Sequence, residues 1–541
     1  MVRHLTLNEQ YADDAVSYLM ENGLSSDEIS RYLSEGISVN ELVTAVRDMV
    51  SRRESVNSNT QSIKPTDFSD AGNAEIFSRE YSPYLTYVDS MGWLYWNGKK
   101  WERNEHKAML MAIEFSARLR LEAMEEYTAA LHAEATAKAN NPDGGEEVKK
   151  AVEATKRAKA FLAHANITRR AARIKAILEL SKPNLHVPGS AMDANPVELN
   201  TPDGIIDLRT GMTRPHRQSD YCTMITAEST DEVAAAEVWQ TFLNQITCDN
   251  GELKDFLQMI IGMALYGKVY HEGIVFAVGD GRNGKSTFFN AVGAVLGDYT
   301  GYINIDVITT RGSNDKASLA TLRGKRMVIA GELEEGRRLS AATVKKLAST
   351  DPFQVEEKYK QPEIVKPSHT LFLFTNHLPR VSSTDLGTWR RILNVPFNAV
   401  IESRQSIQNF GDILAKSAGR AILAWAIEGA RRFAENEFHL DIPKCVTDAT
   451  EEYRQREHWL NSFIDECCEV GPNFRVQARV LYAEYRTWAG NTGEYIRCEK
   501  DFAAEMDRLG YSYVLPKRQK HYVGLKLQLV KMMGEGSVRA V

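Results

Sequence analysis

Apolar and polar positions change period several times along this chain, and each change marks a predicted element. The runs Ile274–Val278 and Met327–Ala330, and the run Leu371-Phe372-Leu373-Phe374, are short, continuously apolar and bounded by turn residues. That is the pattern of parallel strands buried on both faces. Ile392, Leu393, Val395, Pro396 and Phe397 form a further apolar run. Helical spacing fills residues 236–267 before the first run and 287–296 after it. Upstream, two long helical stretches, 105–138 and 146–180, are separated by Asn140-Asn141-Pro142-Asp143-Gly144-Gly145. Between residues 81 and 101 the aromatics Trp93, Tyr95, Trp96 and Trp101 surround the turn Asn97-Gly98, which predicts a β-hairpin with an aromatic core. Two glycine turns bracket an apolar run in 199–211, a second small hairpin.

The two ends read differently. Residues 1–50 carry the capping boxes Ser25-x-x-Glu28 and Ser38-x-x-Glu41 with stops at Gly23 and Gly36, and 51–66 is a polar linker. At the other end, amphipathic helices over 459–468, 481–488 and 499–509 precede strands at 511–515 and 522–527 joined by Pro516-Lys517-Arg518-Gln519-Lys520. Three helices and a hairpin with a basic tip describe a winged helix, whose Arg518 and Lys520 could touch DNA phosphates. The expected domains are therefore a helical module with linker (1–66), a mixed hairpin and helical domain (80–235), an α/β core (236–440) and a winged helix (457–530).

A length of 541 residues, 43% hydrophobic and 26% charged, fits several globular domains. No apolar stretch approaches membrane-spanning length and residues 1–10 lack a signal-peptide core, so a cytoplasmic location and no membrane partner are expected. The six cysteines form no C-x-x-C pair, which argues against structural zinc and against a disulfide framework. A net charge of −6 leaves nucleic-acid binding to be judged from clusters, such as the basic run from Lys149 to Lys175 in the second long helix.

The chemistry starts at Gly279-Asp280-Gly281-Arg282-Asn283-Gly284-Lys285-Ser286, a phosphate loop set between a strand and a helix. Its glycines let backbone N–H groups, with that of Thr287, turn onto phosphate oxygens at a helix N-terminus. Lys285 would reach the outer phosphates of ATP, and Ser286 would hold Mg²⁺. Glu332, past the second strand, suits the metal, and Glu334 suits water activation. Asn376, at the tip of the third strand, suits a γ-phosphate sensor. Arg390 and Arg391 could stabilise charge on the nucleotide of a neighbouring subunit, which would require a ring. Lys345, Lys346, Lys358 and Lys360 flank the turn Thr350-Asp351-Pro352 and could hold a DNA backbone without reading sequence.

This constellation resembles the core of the superfamily 3 helicases. Together with Gly92-Trp93, Trp96-Asn97-Gly98, Trp101, the 203–211 segment and Thr388-Trp389-Arg390-Arg391, it is similar to the helicase half of the phage and plasmid primase/helicase proteins, a group that includes the poxvirus primase/helicase. The resemblance covers about residues 80–530. It implies an α/β P-loop NTPase with an AAA+-like core and a helical domain before it, a hexameric ring, and ATP-driven translocation on single-stranded and forked DNA. Two features depart from the family. The residues before the tryptophan hairpin are too few for a primase domain, so a separate primase or polymerase is expected. Ser349-Thr350 precede Asp351 where glycine is usual, which leaves the pore lysine open among the four named. A DNA-binding initiator or loader without unwinding activity is the rival reading, and a small-molecule kinase a more distant one.

Overall fold

The computed structural model describes residues 62–230, 235–309, 319, 321–331, 333, 337–355, 363–381, 386–402, 407–457, 459–492 and 495–528. The expected N-terminal module lies outside these residues. The described chain divides into two compact units, one of residues 62–82 with 106–184, the other of 83–105 with 185–528.

The first unit is helical: α1 (Asp70–Tyr81), α2 (Glu105–Asn140), α3 (Glu146–Thr168) and α4 (Ala171–Ser181). Ser69 caps α1 by accepting from the Gly72 N–H at 3.0 Å, which satisfies one orphan donor of the first turn. Phe77, Phe115, Phe161 and Ile177 are buried at its centre, with Phe77 edge-on to Phe115 at 5.7 Å. The second predicted long helix breaks at Arg170, which is extended, so that α4 folds back and Ser181 donates to the Ala74 carbonyl. Local periodicity could not show that break, because both halves keep helical spacing.

The second unit opens with an antiparallel sheet of β1 (Leu85–Val88), β2 (Gly92–Trp96) and β3 (Trp101–Arg103), followed by another of β4 (Glu198–Thr201), β5 (Gly204–Asp207) and β6 (Thr213–Arg214). Each predicted hairpin thus gains a third strand. Trp93 and Trp101 are buried, as the core reading expected. The expected 80–235 domain is divided between the units. Residues 83–105 and 185–230 join the second because Trp101 donates from its ring to the Gln218 carbonyl and from its backbone to the Cys222 carbonyl, while Lys100 pairs with Asp298 at 2.6 Å.

Helices α5 (Ala236–Thr247) and α6 (Gly251–Ala264) lead into the central sheet. Its strands are β7 (Ile274–Val278), β8 (Thr300–Ile303), β9 (Met327–Ala330), β12 (Thr370–Thr375) and β13 (Ile392–Pro396), all parallel, in the order β13-β7-β12-β9-β8. Helix α7 (Lys285–Leu296) follows β7, and α8 (Ala341–Leu347) precedes the hairpin of β10 (Phe353–Val355) and β11 (Glu363–Val365). Alternate residues of each central strand enter different cores. Val275, Ala277, Ile329, Phe372 and Val395 pack with α5, α6, α7 and α9 (Phe410–Glu435), whereas Ile274, Phe276, Val328, Leu371 and Ile392 pack with α8 and with Tyr453 of α10 (Lys444–Glu457). Continuous apolar runs are what a sheet covered on both faces requires.

The last domain runs α11 (Trp459–Cys467), β14 (Cys468–Gln477), α12 (Ala478–Thr492), α13 (Glu499–Arg508), β15 (Tyr513–Val514) and β16 (His521–Leu527), with strand order β14-β16-β15. The helices match the predicted ones, but β14 was not foreseen. It is an edge strand, mostly exposed, with a register shift between Val470 and Arg475 where Gly471 and Pro472 interrupt it. Only Cys468 and Val476 of this strand enter the core and backbone pairing holds the rest, so it leaves little hydrophobic signal.

Two expected outcomes follow from the packing. A Cβ on Gly262 of α6 would stand 2.1 Å from the Ala430 nitrogen of α9, so Gly262→Ala should push the helices apart and destabilise the unit by about 1–3 kcal/mol, read as a lower denaturant midpoint. His369, buried just ahead of β12, has its pKa pushed down from 6.5 to about 4 by burial. As pH falls from 6.5 toward 4 the unfolded chain binds a proton that the folded chain refuses, so stability should drop by up to about 3 kcal/mol. A thermal-melting series against pH should be less steep in this window for His369→Leu.

Candidate functional site

The glycine loop leaves the carboxyl end of β7, and α7 starts at Lys285 itself. Gly281 and Gly284 take φ of +95° and +83°, and Arg282 between them takes +49°, so the chain turns through left-handed backbone that glycine tolerates. Gly279 is needed for a different reason. A Cβ there would lie 2.2 Å from the Phe397 carbonyl oxygen. The loop is tied to the segment after β13 by three bonds: the Phe397 N–H to the Val278 carbonyl at 2.7 Å, the Ile401 N–H to the Arg282 carbonyl at 2.8 Å, and Asn283 Nδ2 to the Phe397 carbonyl at 3.0 Å.

Lys285 is buried, and its ammonium donates to the Gly279 carbonyl at 2.6 Å, Asn283 Oδ1 at 3.0 Å and Asn376 Oδ1 at 3.1 Å. All three of these acceptors are neutral amide oxygens. Asn376 can take part because β12 lies beside β7, with Thr375 opposite Val278. A local turn fixes the tip: Thr375 Oγ1 donates to the His377 carbonyl and accepts from the His377 N–H. The phosphate-loop lysine and the sensor asparagine of the sequence reading therefore meet. Ser286 is exposed in the first turn of α7, Thr287 is half-buried beside it, and Asp280 is exposed. Glu332 and Glu334 lie outside the described residues. β9, which leads toward them, ends at the same sheet edge as β7 and β12.

Arg390 and Arg391 sit at the other edge. They immediately precede β13, whose Ile392 is opposite Ile274 at the start of β7, so a five-residue strand, roughly 16 Å, separates them from the loop of their own chain. The two arginines differ. Arg391 is buried and donates to Glu272 Oε2 at 2.7 Å and to the Gly387 carbonyl at 2.8 Å, whereas Arg390 is exposed. Burial would raise the Glu272 carboxyl, but hydrogen bonds from Thr350 and the Arg391 charge outweigh it and hold the group below its usual range. Nothing in the sequence singles out Glu272, since a lone acid before a strand has no motif.

The lysines divide as well. Lys345 and Lys346 lie in the last turn of α8, with Lys346 Nζ 5.1 Å from the centre of the Phe353 ring. Lys358 and Lys360 fall outside the described residues, between β10 and β11. In the last domain Arg518 is exposed at φ +65°, while Lys520 Nζ packs over Tyr513 and Tyr522 at 4.1 and 4.9 Å. A cavity of about 200 Å³ is lined by Ile246, Leu253 and Pro396 together with the polar Thr247, Asn250 and Asn398, among others. Among the described residues no cluster of three or more His, Cys, Asp or Glu side chains could hold a metal, and no helix is long and apolar enough to cross a membrane.

Parallel sheet, glycine loop and helix start are consistent with a P-loop-like core. Residues 74–248 match the family described as "D5 N terminal like", and 277–391 match a second family described as one of unknown function. The chain is 24% identical over 324 residues to "Putative helicase L207/L206" of Acanthamoeba polyphaga mimivirus, covering 55% of this chain and 33% of that protein. It is 26% identical over 154 residues to "Putative helicase V13" of Sputnik virophage, covering 27% and 20%, and 22% identical over 245 residues to a primase-named protein of African swine fever virus, covering 41% and 26%. It thus spans a third or less of the length of the curated relatives it matches. Among solved structures, the apo C-terminal region of NrS-1 aligns at TM-score 0.34 and 11% identity, over 55% of this chain and 78% of that one. The family and relative matches support a place in the phage and viral primase–helicase family, at weak identity.

Asn283 holds both Lys285 and the Phe397 carbonyl. Asn283→Ala should therefore lower the unfolding free energy by about 1–3 kcal/mol, the penalty for buried groups left unpaired, measurable in a urea titration.

Proposed function

We propose that this chain is an ATP-dependent DNA helicase of viral, phage or mobile-element replication, hydrolysing ATP between the subunits of a ring. The observation that carries the reading is the meeting of Lys285 with Asn376 at one sheet edge while Arg390 stands at the other. Numbered along the sheet, the strands run 5-1-4-3-2, the order of an AAA+-like core. Bound ATP with Mg²⁺ would supply the bond to be broken and neutralise its charge. The residues fit that ligand: Gly279, Gly281 and Gly284 keep the loop backbone clear of Cβ atoms at three positions, and Lys285 already presents its ammonium to oxygen acceptors.

In this reading Lys285 gives up acceptors of its own chain for phosphate oxygens. Ser286 and Glu332 would hold the metal, and Glu334 would assist the water. Asn376, released from Lys285 when phosphate arrives, is placed to orient that water. Arg390 cannot reach its own loop, so it serves the next subunit, and closure into a ring, of six subunits by the family resemblance, lets every subunit receive one. DNA would run against Lys345, Lys346, Lys358 and Lys360. The helix–strand–helix–helix–strand–strand order of the last domain supports a winged helix, with Arg518 at its tip. That domain also favours a second reading, an ATP-dependent initiator or loader that binds duplex DNA without unwinding it.

Steady-state ATP hydrolysis and strand displacement on a forked duplex, with wild type and Lys285→Ala, test the proposal. Single-stranded DNA should stimulate the wild type and the fork should open, and the variant should do neither. Hydrolysis without fork opening by assembled rings would favour the initiator or loader.

A further inference from the structure

We infer that Glu272 is a positioning residue that aims the trans arginine and ties it to the root of the β10–β11 hairpin; this rests on the ring ATPase reading above. Its carboxylate lies ahead of β7, at the edge opposite the glycine loop, and its two oxygens serve different segments. Oε2 accepts from Arg391 Nη2 at 2.7 Å. Oε1 accepts from Thr350 Oγ1 at 3.1 Å and from the Thr350 N–H at 3.4 Å.

The backbone gives this carboxylate little freedom. The Ile274 N–H donates to the Arg391 carbonyl at 2.7 Å, and a Cβ on Gly273 would stand 2.8 Å from that same oxygen. Glu272 is therefore held against the arginine segment by its neighbours on the chain. Arg391 is gripped from both sides, by Glu272 and by the Gly387 carbonyl, so its guanidinium is not available to a neighbouring subunit. Trp389 is also turned inward, edge-on to Tyr453 at 5.0 Å. With residues 389 and 391 both anchored, Arg390 between them points to solvent, and its direction follows from theirs. Thr350 stands three residues before Phe353, where β10 begins. One carboxylate thus connects the arginine to the hairpin that carries the candidate DNA lysines, a route by which DNA at the hairpin can alter hydrolysis next door.

The test uses the assembled protein. Glu272→Gln keeps the shape but offers Arg391 no charge; kcat should fall about tenfold or more while nucleotide KM stays unchanged, because the cis glycine loop is not touched. Glu272→Asp, which keeps the charge, should restore part of the rate. Thr350→Val should lower the ratio of DNA-stimulated to basal hydrolysis. Mixing decides the trans role. In equal mixtures of Glu272→Gln and Lys285→Ala subunits, about one interface in four joins an intact loop to a correctly aimed arginine, so activity should return above that of either variant alone. The same mixture with Arg390→Ala in place of Glu272→Gln is the control. Recovery in the control but not with Glu272→Gln would overturn the positioning role and leave the ring reading standing. Recovery in neither mixture would overturn the ring reading and this inference with it. Wild-type kcat in Glu272→Gln would also overturn it.

Discussion

A buried ammonium must be surrounded by acceptors, and that requirement on Lys285 organises the centre of this protein. Three oxygens around it come from the start of the glycine loop, from Asn283 within the loop and from Asn376 at the tip of another strand. To bring the last one within reach, β12 must lie directly beside β7, and a parallel neighbour requires a crossover connection. The chain between those strands supplies α7, β8, β9, α8 and the β10–β11 hairpin. Asn283 extends the same network to the Phe397 carbonyl, so the strands on both sides of β7 are bonded to the loop.

A parallel sheet has two chemically distinct edges, and this protein uses both. Its carboxyl edge carries the loop and Asn376. Its amino edge carries the arginine pair, Glu272 and, through Thr350, the base of the hairpin. The strand length between them keeps the two sets of groups about 16 Å apart, too far to meet at one phosphate. Self-association is then the natural way to bring one edge to the other, as the proposed ring does.

Much of this was legible locally. Ile274–Val278 and Met327–Ala330 read as buried strands because both faces of each are covered, and they are. The glycine loop was legible because its φ values and its close approach to Phe397 admit few residue types. β14 was not, because an exposed edge strand is held by backbone bonds that any sequence can make. The division of the expected 80–235 domain was hidden as well, since it turns on contacts such as Lys100 with Asp298 that no window of sequence contains.

The arginine pair shows the boundary most clearly. Thr388-Trp389-Arg390-Arg391 identified two candidates of equal standing, and nothing within the motif separates them. Separation came from Glu272, 119 residues away, which takes Arg391 and leaves Arg390 outward. Lys285 and Asn376, 91 residues apart, were each recognisable alone, but their contact depends on strand order. The sequence by itself determined most of the buried elements, the loop and the residues that carry motifs, because backbone preference and side-chain periodicity act over a few residues. Tertiary structure alone decided which of those groups meet, because strand pairing and charge neutralisation act between segments whose separation along the chain carries no local signal.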